Sequence, residues 1–411
     1  MTRRISQVRR QPATRDPYGL VRVAGYRGPL IAGLGLLLVA WLSFGLLTGG
    51  LATPGVSGGT GNNNPGVQRT PTPSGVIHVP ASPEIKWQGS IVYAKDGNIW
   101  IQTSDGPRQL TKSGADSMPS WSPDGQYIYY IETDHEVLVS PYKGNRRYGS
   151  DIPLLMRIKA DGSGKPQQLA TGKYRTGGYW FYYWLRQPVL SPDGRTIALL
   201  SDAPDALQND VVLQFFDLKT RKLRNPRVPE TSPLGHQDPA WRSDGQVLLY
   251  VKNGKDGSRG APVIYRYDPK TKSNRPLSGP GYENPAWSRD GKYVAATSTD
   301  SFGTDIVILD GRKGTELLRV TNDGASWGPA WSPFGDAIAF LHLQDGVVDL
   351  RLAHLDGNSG RWTVGKVEDL TESAGLDSQS HPGWFVPADQ LPALATPTPA
   401  TPSAAPSSSA P

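Results

Sequence analysis

The chain has 411 residues, no cysteine and a formal net charge of +6. The missing cysteine excludes disulfides, thiolate zinc sites, a cysteine nucleophile and an acylated cysteine anchor. The charge does not mark a nucleic-acid binder. Residues 1–29 hold Arg3, Arg4, Arg9, Arg10, Arg15, Arg22 and Arg27 against Asp16 alone, so the rest of the chain carries equal numbers of basic and acidic residues. A balanced remainder has no bulk positive field to attract phosphate backbones.

The first predicted element is membrane-spanning. Leu30 to Leu47 reads LIAGLGLLLVAWLSFGLL, without a charge, and falls within the ~17–25 residues that cross a hydrocarbon core. The arginines precede it and no Lys or Arg follows until Arg69. The positive-inside rule then leaves residues 1–29 in the cytoplasm and exports the rest. Cleavage near Gly50-Leu51-Ala52 is the competing reading, but the apolar run and its leader are long for a signal peptide. The expected location is the cell membrane, single-pass, with a secreted form if the segment is cleaved.

Residues 48–87 (TPGVSGGTGNNNPGVQRTPTPSG within them) and 390–411 (LPALATPTPATPSAAPSSSAP within them) are rich in Gly, Pro, Thr, Ser and Ala. Such stretches cannot bury a core and read as a flexible linker and a disordered tail. Gly55-Val56-Ser57-Gly58-Gly59 matches the nucleophile-elbow string, but it lies in the linker, without the strand–turn–helix context that chemistry needs.

Residues 88–389 repeat. PSWSPDG at 119, PVLSPDG at 188, PAWRSDG at 239, PAWSRDG at 285, PAWSPFG at 329 and a shorter PGWF at 382 align on Trp121, Leu190, Trp241, Trp287, Trp331 and Trp384. The intervals are 69, 51, 46, 44 and 53 residues, against ~40–50 for a four-stranded propeller blade. Each unit holds the Trp strand, an apolar strand such as QVLLYV, a third such as VIYRYD and a short fourth such as RPLS. Polar turns rich in Asp-Gly separate them. Residues 89–111 supply three strands without a first, and PGWF supplies a first without the others. Together they make a sixth blade and close the ring. The fold class is therefore all-β, a six-bladed β-propeller behind a single transmembrane helix.

This P-x-W-S-P-D-G phrase, followed by an apolar strand and a downstream L-T, resembles the repeat of TolB-like (WD40-like) six-bladed propellers. The resemblance implies the fold and leaves the function open, since such propellers do many jobs.

The repeated Trp and Asp-Gly positions are expected to be structural, with Trp packing between blades. The residues before the recurring Pro are Met118, Gln187, Asp238, Asn284, Gly328 and His381. The first strand lines the channel, so these six are expected to ring its mouth, with hydration as the plain alternative to a ligand. The long first interval carries two insertions, about 132–153 and 171–187, which an up-and-down blade places on that same face. The second is strongly aromatic, and both carry basic residues. Arg146, Arg147, Arg175, Tyr179, Trp180, Tyr182 and Trp184 are the candidate binding face, because aromatics with arginines suit binding hot spots. Among six His there is no H-E-x-x-H and no EF-hand loop. No metal, cofactor or catalytic residue is expected. The function expected is a membrane-anchored extracytoplasmic module holding a protein or peptide. Glycan or cell-wall binding is the alternative, and hydrolase or lyase chemistry ranks below both because no convergent acid/base pair is visible.

Overall fold

A computed structural model describes residues 87–140, 144–204, 206, 210–228, 235–252, 261–358 and 361–394. The expected cytoplasmic segment 1–29 and transmembrane helix 30–47, with linker residues 48–86 and most of the expected tail, lie outside the described residues. Among the described residues no helix is long and apolar enough to cross a membrane.

The described chain forms six four-stranded antiparallel sheets and one two-stranded hairpin. Blades are numbered 1 to 6 in chain order. Blade 1 joins the two ends of the repeat: Gly383–Phe385 is its inner strand, followed outward by Ser90–Lys95, Asn98–Thr103 and Gly106–Gln109. The closing register pairs Ser90 with Phe385, Ile91 with Trp384 and Val92 with Gly383. The closure expected from PGWF is thus present. It is reinforced by Trp121, whose indole donates to the Gly383 carbonyl at 2.8 Å and stacks on Phe385. Trp87, the last linker residue by sequence, packs edge-on against Trp384.

The inner strands of blades 2 to 6 are Asp116–Trp121, Arg186–Leu190, His236–Trp241, Tyr282–Trp287 and Ser326–Trp331. Apolar second and third strands fill the space between sheets: Ile197, Leu199, Leu249, Val251, Val294, Val307, Ile338 and Phe340 are all fully buried. The repeated motif has a local reason at each point. In the Ser-Pro-Asp-Gly turn, Ser122 donates to Asp124, while the amides of Gln126 and Tyr127 return bonds to Asp124 and Ser122. The same pattern recurs at Ser191/Asp193 and Ser288/Asp290. A hydroxyl after the fourth strand, or within it at Ser278, caps a third-strand amide, as in Ile99 to Thr111, Ile264 to Ser278, Ile306 to Thr321 and Leu350 to Thr371. Those amides are buried and must be satisfied, which explains the L-T signature. Two motif tryptophans pack between blades as expected, with Trp241 stacked near Phe215 of blade 3 and Trp331 clustered with Ile306 and Ile308 of blade 5.

Candidate functional site at the channel mouth

Each of the five complete inner strands breaks its register at the residue before the motif Pro: between Ser117 and Ser120, Arg186 and Val189, Gln237 and Ala240, Glu283 and Ala286, and Trp327 and Ala330. The residues at these bulges have left-handed backbones: Met118 at φ 54°, Gln187 at 48°, Asp238 at 51°, Asn284 at 49° and Gly328 at 63°. Such a conformation costs a non-glycine residue ~1–3 kcal/mol and needs compensation. A bulge also re-aims its side chain, here toward the channel mouth.

Compensation comes from a ring of hydrogen bonds in which one blade caps the bulge amide of the next. The Gln187 amide donates to Met118 Sδ at 3.4 Å, the Asp238 amide to Gln187 Oε1 at 2.9 Å, and the Asn284 amide to Asp238 Oδ2 at 3.1 Å. Where the next residue is glycine, Thr297 bridges: it donates to Asn284 Oδ1 at 2.9 Å and accepts from the Gly328 amide at 3.1 Å. Asp238 is 5% exposed and also receives Gln187 Nε2 at 2.7 Å and Asn284 Nδ2 at 2.9 Å. His381 completes the mouth, its Nε2 3.6 Å from Asp238 Oδ1 and 3.4 Å from Gln187 Nε2. The six sequence-predicted mouth residues are brought together.

Below the ring the inner strands enclose a channel of about 330 Å³ lined by the motif prolines and tryptophans. Above it a funnel of about 470 Å³ is walled by Arg186, His236, Glu283, Trp327, Gln379 and their neighbours. Burial is the main cause that raises the Glu283 carboxyl above the usual carboxylate range, with the Asp238 charge adding to it and a hydrogen bond from Thr299 opposing it.

The two insertions rise from blade 2 on this same face. The first is not a loop over most of its length. The second and third strands lengthen into the hairpin Tyr127–Val139 and Arg147–Lys159, 13 residues each. The second insertion forms the separate hairpin Lys173–Thr176 and Tyr179–Tyr182. The two meet where the Tyr179 hydroxyl donates to Asn145 at 3.2 Å and Lys173 pairs with Glu136. Arg146 and Arg147 follow Asn145 and are exposed. Arg175 and Lys173 lie 5.8 and 5.0 Å from the centre of the Trp180 ring.

Side chains alternate along the aromatic run. Phe181 and Tyr183 stack on Tyr174 at 5.9 and 5.5 Å, and Tyr183 packs on the core between blades 2 and 3. Trp180 and Trp184 are 44% and 43% exposed, with Tyr182 edge-on to Trp184. Val137 and Val139 on the neighbouring hairpin are exposed as well. So is Phe302, in the turn between strands Tyr293–Asp300 and Gly303–Asp310 on the mouth side of blade 5, at 90%. Sequence reasoning missed Thr297 and Glu283. Glu283 precedes the ring residue Asn284 and Thr297 pairs with Glu283 from the second strand, and nothing in the repeat phrase marks either.

These features define a class: a closed six-bladed propeller with a polar, bulged channel mouth and one blade decorated on the mouth face. No family model matches the chain. It is similar to the Tol-Pal system protein TolB of Francisella tularensis, with 26% identity over 244 residues, 59% of this chain and 49% of that protein. A 155-residue stretch, 37% of this chain, is 28% identical to 21% of the uncharacterized peptidase YuxL of Bacillus subtilis. The chain spans about half the length of the TolB sequences it matches. Among solved structures, TolB from Acinetobacter baumannii superposes with a TM-score of 0.52 at 20% identity, covering 73% of this chain and 67% of that one. A TolB from Agrobacterium tumefaciens gives 0.50 at 18% identity, covering 73% and 99%. The fold is a TolB-like six-bladed β-propeller, distantly homologous to TolB.

Proposed function

We propose that this chain is a membrane-anchored, extracytoplasmic binding or scaffold module, not an enzyme, and that its mouth face holds a peptide or protein surface. The observation that carries the reading is the apolar area on the blade 2 insertions: Val137, Val139, Trp180 and Trp184 are exposed there, and Phe302 is exposed separately on blade 5. Exposed apolar area gathered in one place marks an interaction surface. Arg146, Arg147 and Arg175 rim it, and arginine beside aromatic anchors is the composition of binding hot spots. The ring carboxylate Asp238 is taken up by bonds from Gln187 and Asn284, which supports binding over general-base chemistry.

A protein or peptide fits better than a glycan. Sugar stacking needs a clear indole face, whereas Trp180 carries the cations of Lys173 and Arg175 over its ring. The test is capture from a membrane extract by the full chain, compared with a variant carrying Trp180→Ala, Trp184→Ala, Arg146→Ala and Arg147→Ala. The variant should fold with an unchanged melting midpoint and lose the captured protein. Retention of the same protein by the folded variant would place the working surface elsewhere, and binding of a soluble glycan by the wild type alone would favour the sugar reading.

A further inference from the structure

The opposite face, where the Ser-Pro-Asp-Gly turns lie, carries a feature that the mouth-face reading does not use. Between blades 4 and 5 a cavity of about 490 Å³ is lined by Arg242, Arg266, Arg275, Lys292 and Arg312, with Asp310 as the acid among them. Arg266 is the anomaly. By register it pairs with Leu249, one residue beyond the partner of Trp241. The same position is Ile101 in blade 1, Phe215 in blade 3, Ile308 in blade 5 and Leu352 in blade 6, and all four are buried. Blade 2 also has an arginine there, but Arg157 is satisfied: it donates to Gln167 at 2.8 Å and lies 4.7 Å over the Tyr127 ring.

Arg266 has no such arrangement. Its direct cross-strand neighbour is Arg275, and like charges directly opposite on a sheet repel. Neither side chain makes a hydrogen bond or ion pair among the described residues. Arg242 is already paired twice with Asp244, at 2.9 and 2.8 Å. Lys292 lies 3.4 Å from Asp290. Asp310 accepts the backbone amides of Arg312 and Lys313. Burial first, then Arg275, Arg242 and Arg312, pushes the Arg266 guanidinium below its ordinary range. A half-buried charge facing its like is costly unless an anion completes it.

We infer that this cavity binds a phosphate group, held between Arg266 and Arg275 of blade 4 and Arg312 of blade 5. Guanidinium forks from several directions match the oxygens and double charge of a phosphate better than the single charge of a carboxylate. The phosphate can be free or borne on a polymer, and the chemistry at the cavity is the same for both. The site is independent of the mouth face.

The test is titration calorimetry of the full chain with inorganic phosphate, pyrophosphate and a glycerol-phosphate oligomer, at constant ionic strength in chloride. At least one gives saturable binding. A preference for the oligomer identifies a polymer-borne phosphate, and equal affinity for inorganic phosphate identifies a free one. Arg266→Leu installs the apolar kind of residue found at this position in blades 1, 3, 5 and 6. It should weaken binding about tenfold or more, the loss of one charge-assisted contact, while raising the melting midpoint in chloride. Arg275→Gln should also weaken binding, and it leaves the interblade packing untouched if Arg266→Leu folds poorly. Absence of saturable binding by all three anions, or wild-type affinity in both variants, overturns the inference.

Discussion

Removing the chain after Ser378 takes away the inner strand of blade 1 and opens the ring. The losses can be worked from the structure. Ser380 Oγ accepts the buried Ala94 amide at 2.7 Å, and an orphaned buried donor costs about 1–3 kcal/mol. Trp121 loses its acceptor on Gly383 and its stack on Phe385. Trp87 loses its contact with Trp384, and the Gln88 carbonyl loses the bond it accepts from the Trp384 indole at 2.9 Å. Val386 is buried, while Trp384 and Phe385 are half-buried. At about 1.5–3 kcal/mol for a fully buried side chain, the three together contribute roughly 4 kcal/mol after discounting the exposed area. With the strand's own ladder bonds, the total is roughly 6–9 kcal/mol, against about 5–15 kcal/mol for the whole stability of a typical domain. The truncated chain should therefore unfold or aggregate through the exposed edge of Ser90–Lys95. Urea unfolding and light scattering at 25 °C are the assay. A control ending at Leu394, which keeps the strand, should match the full chain. If the chain ending at Ser378 keeps the control's urea midpoint, the ends do not hold the ring closed.

Three further outcomes follow from the same geometry. Glu283→Gln should raise the unfolding midpoint at pH 7: the folded-state pKa of Glu283 is raised by burial, so its stabilising share is complete below the unfolded value of about 4.3 and lost as pH rises through the folded value. The advantage of the variant should vanish near pH 4, and a pH-independent difference would refute the assignment. Along the aromatic run, Tyr183→Ala should cost about 2–3 kcal/mol because it removes a half-buried ring packed against the core, whereas Trp180→Ala, at an exposed position, should cost under about 1 kcal/mol; equal costs in urea unfolding would show that Trp180 packs on the core as well. Protease added outside spheroplasts should digest or release the propeller if Leu30–Leu47 anchors it, and full protection of the propeller would reverse the topology.

The fold was legible because the repeat encodes its own supports. Ser122 with Asp124 closes a turn, Thr111 caps an amide, and Trp121 bridges to the next blade. Each job needs one residue type at one spacing, so the residues recur visibly. The mouth ring was legible for a related reason, since the Pro marks the bulge and the residue before it. The bonds within the ring were not. They run between blades 46 to 69 residues apart in sequence, and nothing in the phrase says that Asn284 would need Thr297 to reach Gly328. The strand extension of the first insertion was also hidden, because ETDHEVLV and NRRYGSDI are too polar to read as apolar strands. Their pairing is stabilised by continuing an existing hairpin. Arg266 was invisible for the opposite reason: an arginine in one strand carries no signal until register shows its counterparts to be buried and apolar.

Under the proposed function, the mouth and the insertions would contribute differently to binding. At the mouth, four non-glycine residues sit in a left-handed backbone, and their strain persists because each side chain is bonded to a neighbouring blade, Asn284 back to Asp238 and on to Gly328 through Thr297. A ligand entering there would have to compete with bonds that hold Gln187, Asp238 and Asn284 in place. The ring is rigid and largely self-satisfied, a floor more than a grip. The insertions differ. Their inner faces are spent on Tyr174, Tyr183 and the Glu136–Lys173 pair, and their outer faces leave Trp180 and Trp184 partly exposed, with Lys173 and Arg175 over the Trp180 ring. Rigid support under uncovered aromatics lowers the ordering cost of binding, since the anchors are already placed. Affinity should therefore respond to the outer aromatics first and to Asp238 only through the stability of the floor beneath them.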